Sequence, residues 1–262
     1  MKVAILGTGL TGITLAKLLL NQGVKVDFFF SQKIRKINRI QTIGISKSNI
    51  DFFNKNILDI KKFLWNINKI EIYNENLENN KIIDFKNKSK YLFSTIRNCD
   101  LYNCLISSLR KNKLIRFKKK INYKNLLDKN YGLIFNCDHQ NSISKKFFSK
   151  KIEKDYNSFA HVTTFNHKRL LNNNIASQIF TKKGPFAFLP ISKKETSIVY
   201  SARGEKDIDI ENLIKKYNTK YEILKINESM SFKLKSSNLR SYYHKNIIAF
   251  GDLLHKLHPL AG

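Results

Sequence analysis

The chain has few of the residues that staple, stiffen or bend a backbone: 3 Cys, 3 Pro, 10 Gly and a single Trp in 262 residues. Cys99, Cys104 and Cys137 are odd in number and form no Cys-x-x-Cys pair, which argues against a disulfide framework or a zinc site. They read as buried free thiols. Acidic residues are scarce as well, 20 against 48 Lys+Arg, for a formal charge of +28. No apolar run approaches the roughly 18 residues of a membrane span. The opening MKVAILGTGLTG also lacks the long apolar stretch and small-residue cleavage site of a secretory leader. A cytoplasmic location is the expectation.

The charge is broad rather than pointed. Only 8 of the basic residues are Arg, and 40 are Lys spread among Asn and Ile along the whole chain. A nucleic-acid face favours clustered basic residues and a larger share of Arg, whose guanidinium grips phosphates and base edges. The spread reads instead as drift of an AT-rich coding sequence, and nucleic acid is not the expected partner. The apolar share of 42% is enough for a core, and the length suits one large or two small domains.

Scarcity makes the placement of glycine informative. Three of the 10 glycines fall within Gly7-Thr8-Gly9-Leu10-Thr11-Gly12. Lys2 to Leu6 ahead of them reads as a short buried strand. Leu10, Ile13, Leu15, Leu18 and Leu19 behind them recur at helical spacing; Gly23 ends that helix, and Val24 to Phe30 reads as a second strand. In such a unit the first glycine permits the tight turn, the second lets a pyrophosphate approach the backbone, and the third lets helix pack against strand. The phosphates then meet free N–H groups at the positive end of the helix. A dinucleotide site is therefore expected. The second strand of these units ends in an Asp or Glu that holds the ribose hydroxyls. Here Phe30 takes that place, 18 residues after Gly12, and Asp27 is expected on the opposite face. Losing that charge-assisted hydrogen bond weakens a site by about 1.5–3 kcal/mol without abolishing it.

Asn246 to Phe250 reads as another short strand, followed by Gly251-Asp252-Leu253-Leu254-His255-Lys256-Leu257-His258-Pro259-Leu260-Ala261-Gly262. This stretch resembles the second FAD fingerprint of the flavin-dependent aromatic hydroxylases, in which Gly-Asp-Ala-Ala-His is followed by three residues, Pro, two residues and Gly-Gln-Gly. His-Pro-Leu-Ala-Gly is most similar to the ubiquinone-biosynthesis ring hydroxylases of that superfamily. Four further segments resemble the same family in order. Gln41 to Ser46 is similar to its Arg-Thr-Ile-Ala-Leu-Ser segment, and Arg97 to Leu101 to its Glu-Asn-Arg-x-Leu helix start. Asn136 to Ser142 is similar to its Ala-Asp-Gly-x-x-Ser region, and Phe180 to Pro190 to its Phe-Thr-x-x-Gly-Pro-x-Ala-x-Leu-Pro segment. Between these landmarks Ser158 to Asn166, Ala176 to Phe180 and Ser197 to Ser201 have the β-branched and aromatic content of strands, and Asp207 to Lys220 reads as a surface helix.

The resemblance implies an α/β chain of the glutathione-reductase type. A Rossmann-like FAD-binding domain (1–70, 91–150 and 244–262) is interrupted by a sheet-rich substrate domain (71–90 and 151–243). It implies FAD and NADPH as cofactors, with oxygen and an aromatic substrate, polyprenylated in the ubiquinone branch, as the reactants of a ring hydroxylation. The cofactor-binding residues it implies are Gly7, Gly9, Leu10, Thr11, Gly12, Arg39, Gln41, Asn98, Asp138, Gly251, Asp252, Pro259 and Gly262. A helix is expected after Asp252, its N-terminus facing the flavin or its phosphates. No catalytic acid or base is assigned, because the flavin carries the chemistry. Without the resemblance, Asp252 is an ordinary helix N-cap and Pro259 a loop proline. His255 and His258 have no third partner close in sequence, so no metal is expected.

Departures from the family pattern gather at the cofactor contacts. Phe30 replaces the ribose carboxylate, Gln41 and Cys99 stand where Arg is usual, His139 replaces a Gly, and Leu253-Leu254 replace Ala-Ala. Arg39 is placed to take over the work of an Arg at Gln41. The family continues past this point with Gln-Gly-x-Asn and further helices, so the chain is expected to be a partial one. The competing readings are an inactive or degenerate flavoprotein fragment and a basic non-enzymatic protein bound to nucleic acid or a membrane surface. The lysine-rich stretches 117–120 and 145–151 read as solvated faces. Their alternative is peripheral attachment to the inner face of the cytoplasmic membrane, at about 1 kcal/mol per basic residue.

Overall fold

Four consecutive apolar residues, Val3 to Leu6, lie fully buried in the first strand, β1 (Lys2–Leu6). Burial on both faces is what a parallel strand under two layers requires. In the computed structural model, which describes residues 1–30, 40–75, 81–86, 91–119, 126 and 131–257, β1 lies inside a six-stranded sheet. Its neighbours are β2 (Lys25–Phe29) and then β8 (Ile115–Lys118) on one side, and β9 (Leu133–Asn136) and β17 (Ile247–Ala249) on the other, all parallel. The two-residue β16 (Tyr243–His244) is added antiparallel to β17. Val3 and Ile5 face helix α1 (Leu10–Asn21) and helix α3 (Asn98–Arg110), in a core with Ile13, Ala16, Leu105 and Leu109. Ala4 and Leu6 face the other way, into a core with Phe29, Ile134, Ile247 and Leu253. Gly23, at φ +74°, closes α1 by donating to Leu20 O at 3.0 Å, which is the left-handed stop that glycine allows.

Asp27 sits in this second layer only 2% exposed, as its strand parity requires. Burial alone raises a carboxyl pKa, but the Tyr131 hydroxyl donates to Asp27 at 2.5 Å and Lys2 Nζ stands at 2.9 Å, and together they hold it below the usual range. Asp27 is thus a structural partner, turned away from the face of Phe30.

The second sheet is larger and mostly antiparallel. It runs β18 (His255–Lys256), β15 (Met230–Leu239), β10 (Lys151–His167), β13 (Glu195–Arg203), β12 (Gly184–Pro190), β11 (Ile175–Thr181), β5 (Lys69–Asn74) and β6 (Lys81–Lys86). A ninth strand, β14 (Ile223–Ile226), pairs with β10. One face carries Phe165, Phe186, Phe188 and Tyr200 under Ile210, Ile214 and Tyr217 of helix α5 (Ile210–Tyr217). The helix expected over Asp207 to Lys220 is thus shorter, because the Asp209 side chain caps it by accepting from Asn212 N at 3.0 Å. The strand expected over Ser158 to Asn166 is longer. Its charged first half, Lys151 to Asp155, pairs with β15 ahead of a bulge between Asp155 and Phe159, where Asn157 adopts φ +46°. Such a half carries no apolar alternation to read.

A small three-stranded sheet, β3 (Thr42–Ser46), β7 (Phe93–Arg97) and β4 (Trp65–Ile67), bridges the two. Helix α2 (Lys47–Asn56) follows β3, capped by Ser46 Oγ accepting from Asn49 N at 3.3 Å. The Thr95 hydroxyl of β7 donates to Pro190 O at 2.6 Å, and Arg97 pairs with Glu195, so the bridge is tied to the large sheet. Lys69 and Ile70 already belong to the large sheet, and His255–Lys256 return to it. Both lie in segments that the sequence reading assigns to the nucleotide fold. Among the described residues no helix is long and apolar enough to cross a membrane.

Candidate cofactor site

The strand order of the first sheet reverses between β1 and β9. An open parallel sheet forms its ligand crevice at such a point, outside the carboxyl ends of the strands. Three backbone bonds align those ends: Gly7 N donates to Phe29 O at 3.1 Å, Cys137 N to Leu6 O at 2.8 Å, and Phe250 N to Asn136 O at 2.9 Å. The crevice therefore collects the Gly7–Gly12 turn, Cys137–Asp138 and the turn at Gly251.

Each glycine of the first turn meets a different constraint. Gly7 adopts φ +113°, and a Cβ there would press on the Cys137 carbonyl carbon and Asp138 Cβ at 3.1 Å. At Gly12 a Cβ would stand 2.5 Å from Gly7 O, so α1 seats on the turn only without a side chain. At Gly9 a Cβ would enter open space. Gly9 also caps α1 with no side-chain acceptor for the first-turn N–H groups and no acidic residue in that turn. The first-turn donors, unpaired among the described residues, and the positive end of α1, with open space before Gly9, fit a pyrophosphate. Gly251 adopts φ +65°, and a Cβ there would lie 2.5 Å from Thr11 Cγ2, so the two glycine turns are in contact.

Asp138 is held by neighbours that the sequence reading does not single out. Its carboxylate accepts from Gln140 N at 2.8 Å, and the Ser144 hydroxyl donates to its carbonyl. Asn136, fully buried, donates to Ser144 Oγ at 2.8 Å and accepts from Asn141 Nδ2 at 2.8 Å. Asn141 in turn caps helix α4 (Ser142–Phe147) by accepting from Ser144 N at 2.8 Å. The signal available was the pair of Asn flanking Cys137-Asp138. Burial first, then Asp138 and Asp252 nearby, push the Cys137 thiol up to about 12, so it stays neutral and is no nucleophile. Both carboxylates thus act on one spot at the rim of the crevice.

Gln41 and Asn98 are also brought together. Asn98 Nδ2 donates to Gln41 Oε1 at 3.0 Å and Asn98 N to Gln41 O at 2.9 Å. Among the described residues Asn98 Oδ1 and Thr42 Oγ1 are buried without a partner. An orphaned buried acceptor costs about 1–3 kcal/mol, which a ligand donor relieves. Between α1, β3 and α3 lies an apolar cavity of about 580 Å³, lined by Leu10, Thr11, Ile43, Ile45, Leu101 and Phe250. A second cavity of about 850 Å³ is polar and separates α3 from the large sheet, with Arg97, Asp100 and Asn103 opposite Thr164, Asn166 and Glu195.

One expectation needs correction. Among the described residues no helix follows Asp252. Gly251–Leu253 form one 3₁₀ turn, Leu254 N donates to Gly251 O at 2.9 Å, and the chain then enters β18. The cause is the Leu-Leu pair: Leu253 is buried in the second core beside Leu239 and Ile247, and Leu239 N donates to Leu254 O at 3.1 Å. Asp252 is exposed and caps nothing with its side chain. Arg39, Pro259 and Gly262 lie outside the described residues. The residues present fit the phosphate end of a dinucleotide, whereas Phe30 offers its ribose an apolar ring in place of a carboxylate.

No protein-family model and no curated protein matches the chain. Solved structures do. p-Nitrophenol 4-monooxygenase PnpA from Pseudomonas putida aligns over 98% of this chain and 74% of its own, with a TM-score of 0.78 at 12% identity. The chain has the fold of the flavoprotein monooxygenases. The tetrameric form of 2-methyl-3-hydroxypyridine-5-carboxylic acid oxygenase matches with a TM-score of 0.74, 13% identity and coverage of 98% and 76%. PqsL from Pseudomonas aeruginosa, described as a probable FAD-dependent monooxygenase, matches with a TM-score of 0.75, 16% identity and coverage of 100% and 80%. At these identities the likeness is one of fold.

Proposed function

We propose that the chain is an FAD-dependent monooxygenase acting on an aromatic ring. The observation that carries this reading is the uncapped Gly9 end of α1, which opens at the switch point beside an apolar cavity of about 580 Å³ in a flavoprotein monooxygenase fold. Gly7, Gly9, Leu10, Thr11 and Gly12 would hold the pyrophosphate by backbone donors. Thr11, Gly251 and Asp252 would hold the sugar chain beyond it, with Asp138 steadied by Asn136 and Ser144 at the same rim. Gln41 and Asn98 would present Asn98 Oδ1 to a donor of the bound group. When bound, FAD supplies the redox chemistry, and the protein supplies position and exclusion of water. The finer reading is NADPH as reductant and a polyprenyl phenol of ubiquinone biosynthesis as substrate. It is supported by the His-Pro-Leu-Ala-Gly resemblance and by a polar cavity between α3 and the large sheet for a charged reductant. A flavin-free chain of the same fold is the competing reading, favoured by Phe30 and by the turn that replaces a helix after Asp252.

Reconstitution separates the two. Protein incubated with FAD and passed through a sizing column is expected to carry flavin absorbance, and to oxidise NADPH faster when a polyprenyl phenol is added. Gly9→Ala meets open space, so its melting temperature is expected to match wild type while FAD affinity falls about tenfold or more. Wild-type protein that elutes without flavin overturns the reading.

A further inference from the structure

The large sheet ends at β6, whose outer edge pairs with no strand among the described residues. Its inner edge pairs with β5, setting Ile70 against Phe85 and Ile72 against Ile83. All six residues of Lys-Ile-Ile-Asp-Phe-Lys are exposed, with Ile82 at 53%, Ile83 at 48% and Phe85 at 49%. Ile83 and Phe85, two residues apart, share one face of the sheet, and Ile82 is the extra residue of a bulge between the pairs Ile72–Ile83 and Tyr73–Lys81. Phe180, 48% exposed, joins the Ile83 face, because β5 pairs Ile72 with Gln178 and Asn74 with Phe180. Exposed edges are ordinarily guarded by charge or covered. Here three of six residues are large and apolar, and lysines bracket them. Lys81 and Lys69 are neutralised by Asp84 and Glu71. Lys86 and Lys182, at the open end and on the turn after Phe180, are exposed; the Lys182 N–H donates to Glu75 at 2.9 Å, and neither ammonium makes an ion pair among the described residues.

We propose that β6, with Phe180, is a contact for an anionic lipid surface. Charge selects this occupant. A second copy of the chain brings another +28 against the first, and like net charge opposes self-association. The headgroup layer of an anionic bilayer attracts the lysines, takes the exposed apolar side chains, and still offers water to the open backbone edge. This site is distinct from the lysine stretches at 117–120 and 145–151, and the inference stands independently of whether the chain holds FAD.

Vesicle flotation of the purified full chain tests it, using phosphatidylcholine with and without phosphatidylglycerol. Wild type is expected to float with the anionic vesicles and to stay behind with the neutral ones. Ile83→Ser with Phe85→Ser is expected to weaken binding about tenfold or more, since each side chain loses apolar area to bury. Lys86→Glu with Lys182→Glu is expected to weaken it similarly and to blunt its salt dependence. Phe180→Ser, on the neighbouring strand, gives a second apolar variant if the double one fails to fold, and unchanged melting temperatures show that the fold is intact. The proposal falls if wild type ignores anionic vesicles or if the folded serine variants bind like wild type. It also falls if wild type runs as a salt-resistant dimer that the serine variants dissociate, which makes the edge an interface between copies.

Discussion

The two large sheets are built on opposite economies of burial. The six-stranded, mainly parallel sheet is covered on both faces. Its strands are short and its glycines lie at the ends, where α1 and the Gly251 turn meet over Gly7 and Thr11. The nine-stranded sheet is covered by α5 on one face, and its β6 edge is unpaired among the described residues. Its critical glycine opens β12 after the turn from β11, against the backbone of β13: Gly184 has φ +143°, and a Cβ there would sit 1.9 Å from Ser201 O. Close approach of backbone to backbone thus serves packing in the second sheet and, in the first, leaves open space at Gly9 for a ligand.

That contrast can be broken most severely at the glycines. Gly184→Ala combines strain with a backbone clash and is expected to cost more than about 4 kcal/mol, or to prevent folding, as read from soluble yield and urea midpoints. Gly12→Ala meets only Gly7 O as its close contact and is expected to cost about 2–4 kcal/mol by the same measure. Equal and small losses at both sites would mean that the sheets tolerate these approaches alike.

A smaller effect is expected at the buried carboxylate of the first sheet. Tyr131→Phe removes one of two described partners of Asp27 and is expected to cost about 1–3 kcal/mol in urea unfolding, with Asp27→Asn of similar size. Stability unchanged by either variant would remove Asp27 from the structural account.

Acid sharpens the comparison with the smallest effects. Burial lowers the pKa of His161 and His167, both in the second sheet, below the usual imidazole value. An unfolded chain binds the proton first, so their contribution is complete above about pH 6.5 and fades as pH falls below it. Asp27, in the first sheet, is held below the carboxylate range, so its contribution is complete above about pH 4 and fades only below that. Amide exchange followed across this range is expected to loosen the nine-stranded sheet first. Simultaneous loosening of both sheets at pH 6 to 5 would show that these groups do not govern the response.

How much of this was legible depends on whether the signal was local. The β1, glycine turn and α1 unit could be read because every part of it lies within one stretch of chain, and Asp27 could be assigned its face by parity. Asn136 and Asn141 stand in a family-like segment and Ser144 just beyond it, but the sequence singles out none of them, because their role lies in the bonds they make to each other and to Asp138. The first half of β10 was invisible because its partner β15 lies far along the chain and supplies the ladder that the charged residues do not advertise. The helix after Asp252 was misread because the resemblance carried a pattern with Ala-Ala, whereas Leu253 is drawn into the core.

By itself the sequence determined the alternation of apolar runs that makes two kinds of sheet, and the glycines that permit a tight crevice, since both follow from periodicity and the missing Cβ. Only the tertiary structure decided that Gly251 rests on Thr11, that Asp138 and Asp252 share one rim, and that β6 ends the large sheet with its apolar side chains in the open. Those facts depend on which distant strands pair, and pairing is set by the burial of whole faces.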